Sequence, residues 1–187
     1  MVQNNIRALL SKHPVIPVVN FEHIEQVEKT IRHLIEKNIN CIEITLRNSD
    51  AFKCIEQAKS INLPNFEIGV GTIISNEQIT RCKDLNVDFM VSPGLVEELA
   101  SAFEESNIPF IPGVSTPSDI IRGTQQSWDT FKFFPAHLFG GIKALKTYEQ
   151  VFPEICFCPT GGVSETTFND YLNLKNVISV GGSWLTK

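Results

Sequence analysis

Short apolar runs alternate with amphipathic segments along the whole chain. The runs are Val15–Val19, Cys41–Leu46, Phe66–Gly71, Val87–Ser92, Phe110–Val114, Thr130–Phe134, Ile155–Pro159 and Val177–Gly181, which gives eight candidate strands. Between the first two, Ile24, Val27, Ile31, Leu34 and Ile35 recur at the spacing of one helix face. Leu95, Leu99 and Phe103 make a similar stripe, and Ser164 is placed to cap a segment carrying Phe168 and Leu172. Ser75-Asn76-Glu77-Gln78 has the form of a capping box. Thr116-Pro117-Ser118-Asp119 supplies a capping residue, a proline for the first helical position and an acid for the first turn. Residues 3–12 read as a short helix ahead of the first strand.

Strands that alternate with helices pair in parallel, because a helix is the usual crossover between parallel neighbours. Two architectures satisfy this pattern, a closed (β/α)8 barrel and an open doubly wound sheet. A dinucleotide-binding open sheet would carry GxGxxG after its first strand, where this chain has Asn20-Phe21-Glu22-His23. No linker, repeat or low-complexity tract divides the sequence, so residues 1–187 are expected to form a single domain. A full barrel would add a helix after the eighth run, so the expected barrel lacks its final C-terminal helix.

Composition narrows the function classes. Hydrophobic residues at 42% and charged residues at 20% describe a globular chain. A net charge of −5 with no basic run argues against nucleic acid, while leaving room for a local anion site. The first residues lack the basic start and apolar run of a leader, and no apolar stretch approaches the roughly 18 residues of a membrane span. Five scattered cysteines without paired CxxC motifs read as small buried hydrophobes, and a reducing cytoplasm is the expected location. His13, His23 and His33 are expected at the surface, and His137 follows the sixth run, where it could line a rim. Neither a histidine cluster nor a carboxylate pair calls for a metal, and no cofactor is expected.

Candidate chemistry sits in the sixth and second runs. Lys132 lies within Thr130-Phe131-Lys132-Phe133-Phe134-Pro135, one of the most apolar stretches of the chain. Burial disfavours the charged form of an amine, and a neutral amine can attack a ketone to form a Schiff base. The plain alternative is an edge strand whose lysine points to water. Side chains alternate along a strand, so Glu43, Thr45 and Arg47 oppose Ile42, Ile44 and Leu46. In a barrel the polar set faces the axis and meets Lys132, with Arg47 near the C-terminal rim where active sites gather. Glu43 then reads either as a proton shuttle or as half of a structural ion pair.

The ends of the runs are rich in glycine and hydroxyl groups: Gly69-Val70-Gly71-Thr72, Ser92-Pro93-Gly94, Pro112-Gly113-Val114-Ser115-Thr116, Pro159-Thr160-Gly161-Gly162 and Gly181-Gly182-Ser183-Trp184. Loops after the seventh and eighth strands of such barrels commonly bind phosphate. These motifs, together with Ile42-Glu43-Ile44-Thr45-Leu46-Arg47 and Phe131-Lys132-Phe133-Phe134-Pro135-Ala136, resemble the bacterial aldolases for 2-keto-3-deoxy-6-phosphogluconate (KDPG) and 4-hydroxy-2-oxoglutarate (KHG). The similarity runs in order from about residue 6 to the C-terminus.

The resemblance implies a (β/α)8 barrel, a class I mechanism, a phosphorylated 2-keto acid substrate and a homotrimer. It makes Lys132 the Schiff-base lysine and Glu43 the general acid/base. Arg47 and Thr72 would hold the substrate carboxylate, while Pro93, Phe134 and Thr160 would surround the pyruvyl part. Gly161, Gly162, Gly182 and Ser183 would receive the phosphate, and Thr160 favours a gluconate-type substrate. Family members continue about one helix further, so apolar surface is expected on strands one and eight. Rival readings are an aldolase mainly for KHG, a silent sugar-phosphate-binding barrel and an isomerase-type barrel.

Overall fold

A computed structural model describes residue 3 and residues 6–186. The strands are β1 (Val15–Val19), β2 (Cys41–Thr45), β3 (Glu67–Gly71), β4 (Phe89–Val91), β5 (Phe110–Ile111), β6 (Gly113–Val114), β7 (Thr130–Phe133), β8 (Cys156–Pro159) and β9 (Val180–Gly182). The helices are α1 (Ile6–Lys12), α2 (Gln26–Glu36), α3 (Ala51–Ser60), α4 (Asn76–Asp84), α5 (Ala100–Ser106), α6 (Pro117–Gln125), α7 (Gly141–Val151) and α8 (Phe168–Leu172). The strand pairs are parallel, in the orders β5-β4-β3-β2-β1-β9 and β6-β7-β8.

Two features join these sheets into one ring. Single bridges from Phe157 to Val177 and from Thr160 to Gly181 tie β8 to the chain running into β9. The expected fifth strand is split at Pro112, which has no N–H to give the ladder. Its carbonyl still accepts from Lys132 N at 2.9 Å, so β5 and β6 act as one spoke. Eight spokes then close as a (β/α)8 barrel.

The alternation along each strand separates two cores. Outward residues such as Ile42, Ile44, Val70, Phe131 and Phe133 join the helices in the larger core. Ile16, Cys41, Phe89, Val91, Ile111 and Cys158 fill the interior, together with Ile6, Leu9 and Leu10 of α1. Helix α1 therefore plugs the end of the barrel where the strands begin. Polar clamps hold it there: Arg7 donates to the carbonyls of Asp129 (3.1 Å) and Glu154 (2.9 Å), and Gln3 Nε2 donates to Thr130 O (2.7 Å). His13 is half-buried rather than at the surface, with Nε2 at 2.6 Å from Glu67 Oε2. Residues 4 and 5 of the expected first helix lie outside the described residues.

Local signals hold in most places. Thr116 and Asp119 form the reciprocal capping box of α6. At α4, Ser75 accepts from Gln78 N, but Gln78 turns back to Ile74 N rather than to Ser75. The cap of α8 falls on Thr167, because Ser164 spends its hydroxyl in a turn with Thr166 and Thr167. Beyond β9 a 3-10 turn, Trp184–Thr186, follows, and Trp184 and Leu185 pack against the larger core. Val19 and Val180 on the first and last strands are buried, while Val15 stays partly exposed, so the expected apolar exposure is only partial.

Burial pushes the carboxyl of Asp119 up, but hydrogen bonds from Thr116 and Ser115 outweigh it and hold the group below its ordinary value. The cap's contribution is thus complete above the ordinary carboxylate range and fades as pH falls through the lowered value. Asp119→Asn should lower the urea midpoint at pH 7, and the difference from wild type should shrink at pH 2–3, as unfolding at the two pH values will show.

Candidate active site

Strands β2 and β7 lie across the barrel from one another, and their inward residues meet. Lys132 Nζ donates to Glu43 Oε1 at 3.1 Å, with the two side chains 6% and 5% exposed. The edge-strand reading of Lys132 is thereby excluded. Its strand is held rigidly from outside, because the Phe133 ring packs edge-on against Tyr148 of α7 (5.9 Å) and Phe157 of β8 (6.3 Å).

The carboxylate has room only because β3 is bare at this level. A Cβ on Gly71 would collide with Glu43 Oε1, and one on Gly69 would collide with the Phe89 ring below. The glycines at alternate positions of Gly69-Val70-Gly71 are therefore a space requirement of the interior. Gly113, the ladder partner of Lys132, plays the same part for the loop after β4. A Cβ on Gly113 would strike the Pro93 carbonyl, so its absence lets Pro93 close over the spoke beside the lysine.

Other expected residues surround the pair. Lys132 Nζ lies 5.2 Å from the Phe134 ring centroid, within cation–π range. Cys158, the ladder partner of Lys132 on β8, has its thiol pushed up to about 12 by burial, with Lys132 opposing and Glu43 adding to the shift. The pair thus sits beside a thiol that stays protonated. Thr160 follows two residues later on the same face, is 6% exposed, and its Oγ1 has no hydrogen-bond partner among the described residues. It lies near enough to the Cys158 thiol to oppose that thiol's upward shift, and it remains available to a bound polar molecule.

The rim departs from the expected picture at one point. Arg47 is exposed in the loop after β2 rather than inside the barrel. The strand ends at Thr45, whose carbonyl accepts from Arg47 N at 3.0 Å, and this tight turn breaks the alternation. Thr72 stands on the neighbouring loop, since Leu46 N donates to Gly71 O at 2.9 Å. Thr72 has φ 65°, a left-handed conformation that is costly for a β-branched residue. Sequence patterning gave no sign of that strain.

After β8, Gly161 (φ 90°) and Gly162 (φ 76°) take backbone conformations suited to glycine. Gly161 N lies on the side of the chain that bridges to Gly181, while the N–H groups of Gly162 and Val163 have no main-chain acceptor among the described residues. Ser183 is exposed after β9. Gly182 is buried, and its missing Cβ is replaced by the Trp184 indole.

Fold and site define a lyase-type barrel that carries an amine and a carboxylate in its interior. The sequence model of KDPG and KHG aldolase matches residues 6–187. The KHG/KDPG aldolase of Escherichia coli K12 is 37% identical over 183 residues, covering 98% of this chain and 85% of that protein. A solved KDPG aldolase from Legionella pneumophila, with pyruvate captured at low pH as a covalent carbinolamine intermediate, superposes with TM-score 0.92 at 38% identity, over 96% of this chain and 87% of that one. The Zymomonas mobilis ZM4 enzyme with 3-phosphoglycerate gives TM-score 0.93 at 33% identity, over 97% and 86%. The chain belongs to the KDPG and KHG aldolase family.

The buried pair makes a prediction independent of activity. Lys132→Met strands a buried carboxylate and should destabilise the fold by about 3–5 kcal/mol. Adding Glu43→Leu should restore most of that loss, and urea unfolding of the three proteins measures both steps.

Proposed function

We propose that this chain is a class I aldolase that cleaves KDPG to pyruvate and glyceraldehyde 3-phosphate, with KHG as a second substrate giving pyruvate and glyoxylate. The observation that carries the reading is the 3.1 Å contact between two almost fully buried groups, Lys132 and Glu43. The covalent pyruvate intermediate of the Legionella relative supports it.

In this reading one proton passes along the shared hydrogen bond, leaving a neutral amine and a carboxylic acid with no change in buried net charge. Lys132 attacks the C2 ketone to give a carbinolamine. Glu43 returns its proton to the departing hydroxyl, water leaves, and an iminium remains. Glu43 then takes the proton of the C4 hydroxyl. The C3–C4 electron pair moves into the iminium, the aldehyde leaves, and pyruvate stays on Lys132 as an enamine. Protonation at C3 and hydrolysis release pyruvate and restore the amine. One positioned proton donor and acceptor can serve every step because the amine and the reacting oxygens share one small space.

Arg47 and Thr72, on adjacent loops, are assigned to the substrate carboxylate. Arg47 would have to fold over the mouth to reach it. Pro93, Phe134 and Thr160 are assigned to surround the pyruvyl part. Gly161, Gly162, Gly182 and Ser183 are assigned to the phosphate, with the N–H of Gly162 as a main-chain donor. The 3-phosphoglycerate on the Zymomonas enzyme supports a phosphorylated substrate.

We read residues 1–187 as one barrel domain with an N-terminal helix, working in the cytoplasm. A homotrimer follows from the family resemblance. It is supported by Ile74, Leu138 and Phe139, which stand 62%, 69% and 42% exposed on loops after β3 and β7.

Borohydride with pyruvate should fix a reduced adduct on Lys132, located by peptide mass mapping. An equal adduct on Lys132→Ala would sink the mechanism. Glu43→Gln should lower kcat for KDPG by about 10²–10⁴-fold in a coupled pyruvate assay.

A further inference from the structure

His137 lies on the loop between β7 and α7, five residues beyond Lys132. Two main-chain bonds fasten this loop to the glycine segment after β8: Ala136 N donates to Thr160 O at 2.9 Å and His137 N to Gly161 O at 3.2 Å. The imidazole is thereby laid against Gly162. A Cβ on Gly162 would stand only 2.6 Å from His137 Cγ and 2.9 Å from Nδ1. Gly162 is therefore glycine for two independent reasons, its left-handed backbone and the ring that occupies its side-chain space.

His137 is exposed, and its ring makes no side-chain hydrogen bond among the described residues. In the segment it packs against, the main-chain N–H groups of Gly162 and Val163 have no main-chain acceptor among the described residues. An imidazole presents an N–H in either tautomer and a positive charge when protonated. Main-chain donors and a ring N–H gathered on one small surface suit an anion with several oxygens, such as a phosphate ester.

We propose that His137 is a specificity-determining residue: its imidazole binds the phosphate of a phosphorylated 2-keto acid beside the main-chain N–H groups, and so favours KDPG over KHG. This rests on the aldolase reading above. The two substrates share the keto acid end and the C4 hydroxyl. They differ beyond C4, where KDPG extends two carbons to its phosphate and KHG ends in a carboxylate. A contact made only to that phosphate shifts the choice between the substrates without touching the chemistry at Lys132.

The test compares wild type, His137→Ala and His137→Gln on both substrates. Loss of a hydrogen bond to a charged group corresponds to about 10–100-fold. His137→Ala should raise KM for KDPG by at least about tenfold while kcat changes little, and should lower the KDPG/KHG ratio of kcat/KM by a similar factor. His137→Gln keeps an N–H donor and should recover most of the ratio. A purely structural role would lower both substrates together, so an unchanged ratio in His137→Ala overturns the proposal. A second measurement needs no turnover. Glycerol 3-phosphate titrated into the wild-type protein should shift the His137 ring signals in NMR saturably, and ring signals that stay still while the Gly161 and Gly162 amides move would overturn it. Wild type releasing pyruvate from neither substrate defeats the aldolase reading instead, and the titration still decides His137.

Discussion

The contact between Lys132 and Glu43 is the constraint that the rest of the molecule accommodates. Two ionisable groups held out of water are tolerable only as partners, because each alone would carry a heavy desolvation penalty. They come from strands 89 residues apart in sequence, and the closed ring of strands brings them together across the barrel. The ring must also be empty at one level, which Gly71 ensures, and rigid behind the lysine, which the aromatic packing of Phe133 ensures. The neutral thiol of Cys158 avoids adding a competing anion beneath the pair.

Around this pair the barrel is graded from apolar to polar along its axis. The end where the strands begin is filled by hydrocarbon and thiol groups and closed by α1, with polar contacts confined to its edges. The middle level holds the amine and carboxylate. The far end carries the buried hydroxyl of Thr160, the strained Thr72 and the N–H groups of Gly162 and Val163, which have no main-chain acceptor among the described residues. Polar groups left unsatisfied there are costly to the empty protein, and their clustering at one end matches a ligand that enters from that side.

Much of this was legible in the sequence, since strand alternation and helix periodicity are local properties. The eight runs, the stripe through Val27, Ile31 and Leu34, the capping box at Thr116 and the shared face of Glu43 and Lys132 all follow from spacing alone. What escaped depends on where the chain turns or on what packs across the barrel. Arg47 obeyed the alternation on paper, but a turn closed by Thr45 took it out of the strand. Pro112 cut one strand into two without opening the ring. Ser164 looked like a cap because its residue type suits one, yet its hydroxyl was already engaged in the preceding turn. The glycines of β3 could be read only as turn or close-approach signals, because the groups that need their space come from β2 and β4. His13 looked solvated for the same reason, its partner Glu67 being supplied by another strand.

The plug formed by α1 sets a traffic rule. With that end sealed by Ile6, Leu9 and Leu10, everything must pass through one doorway: keto acid inward, aldehyde outward, then the water that frees pyruvate. A cul-de-sac of this shape gives every ligand the same way in and out.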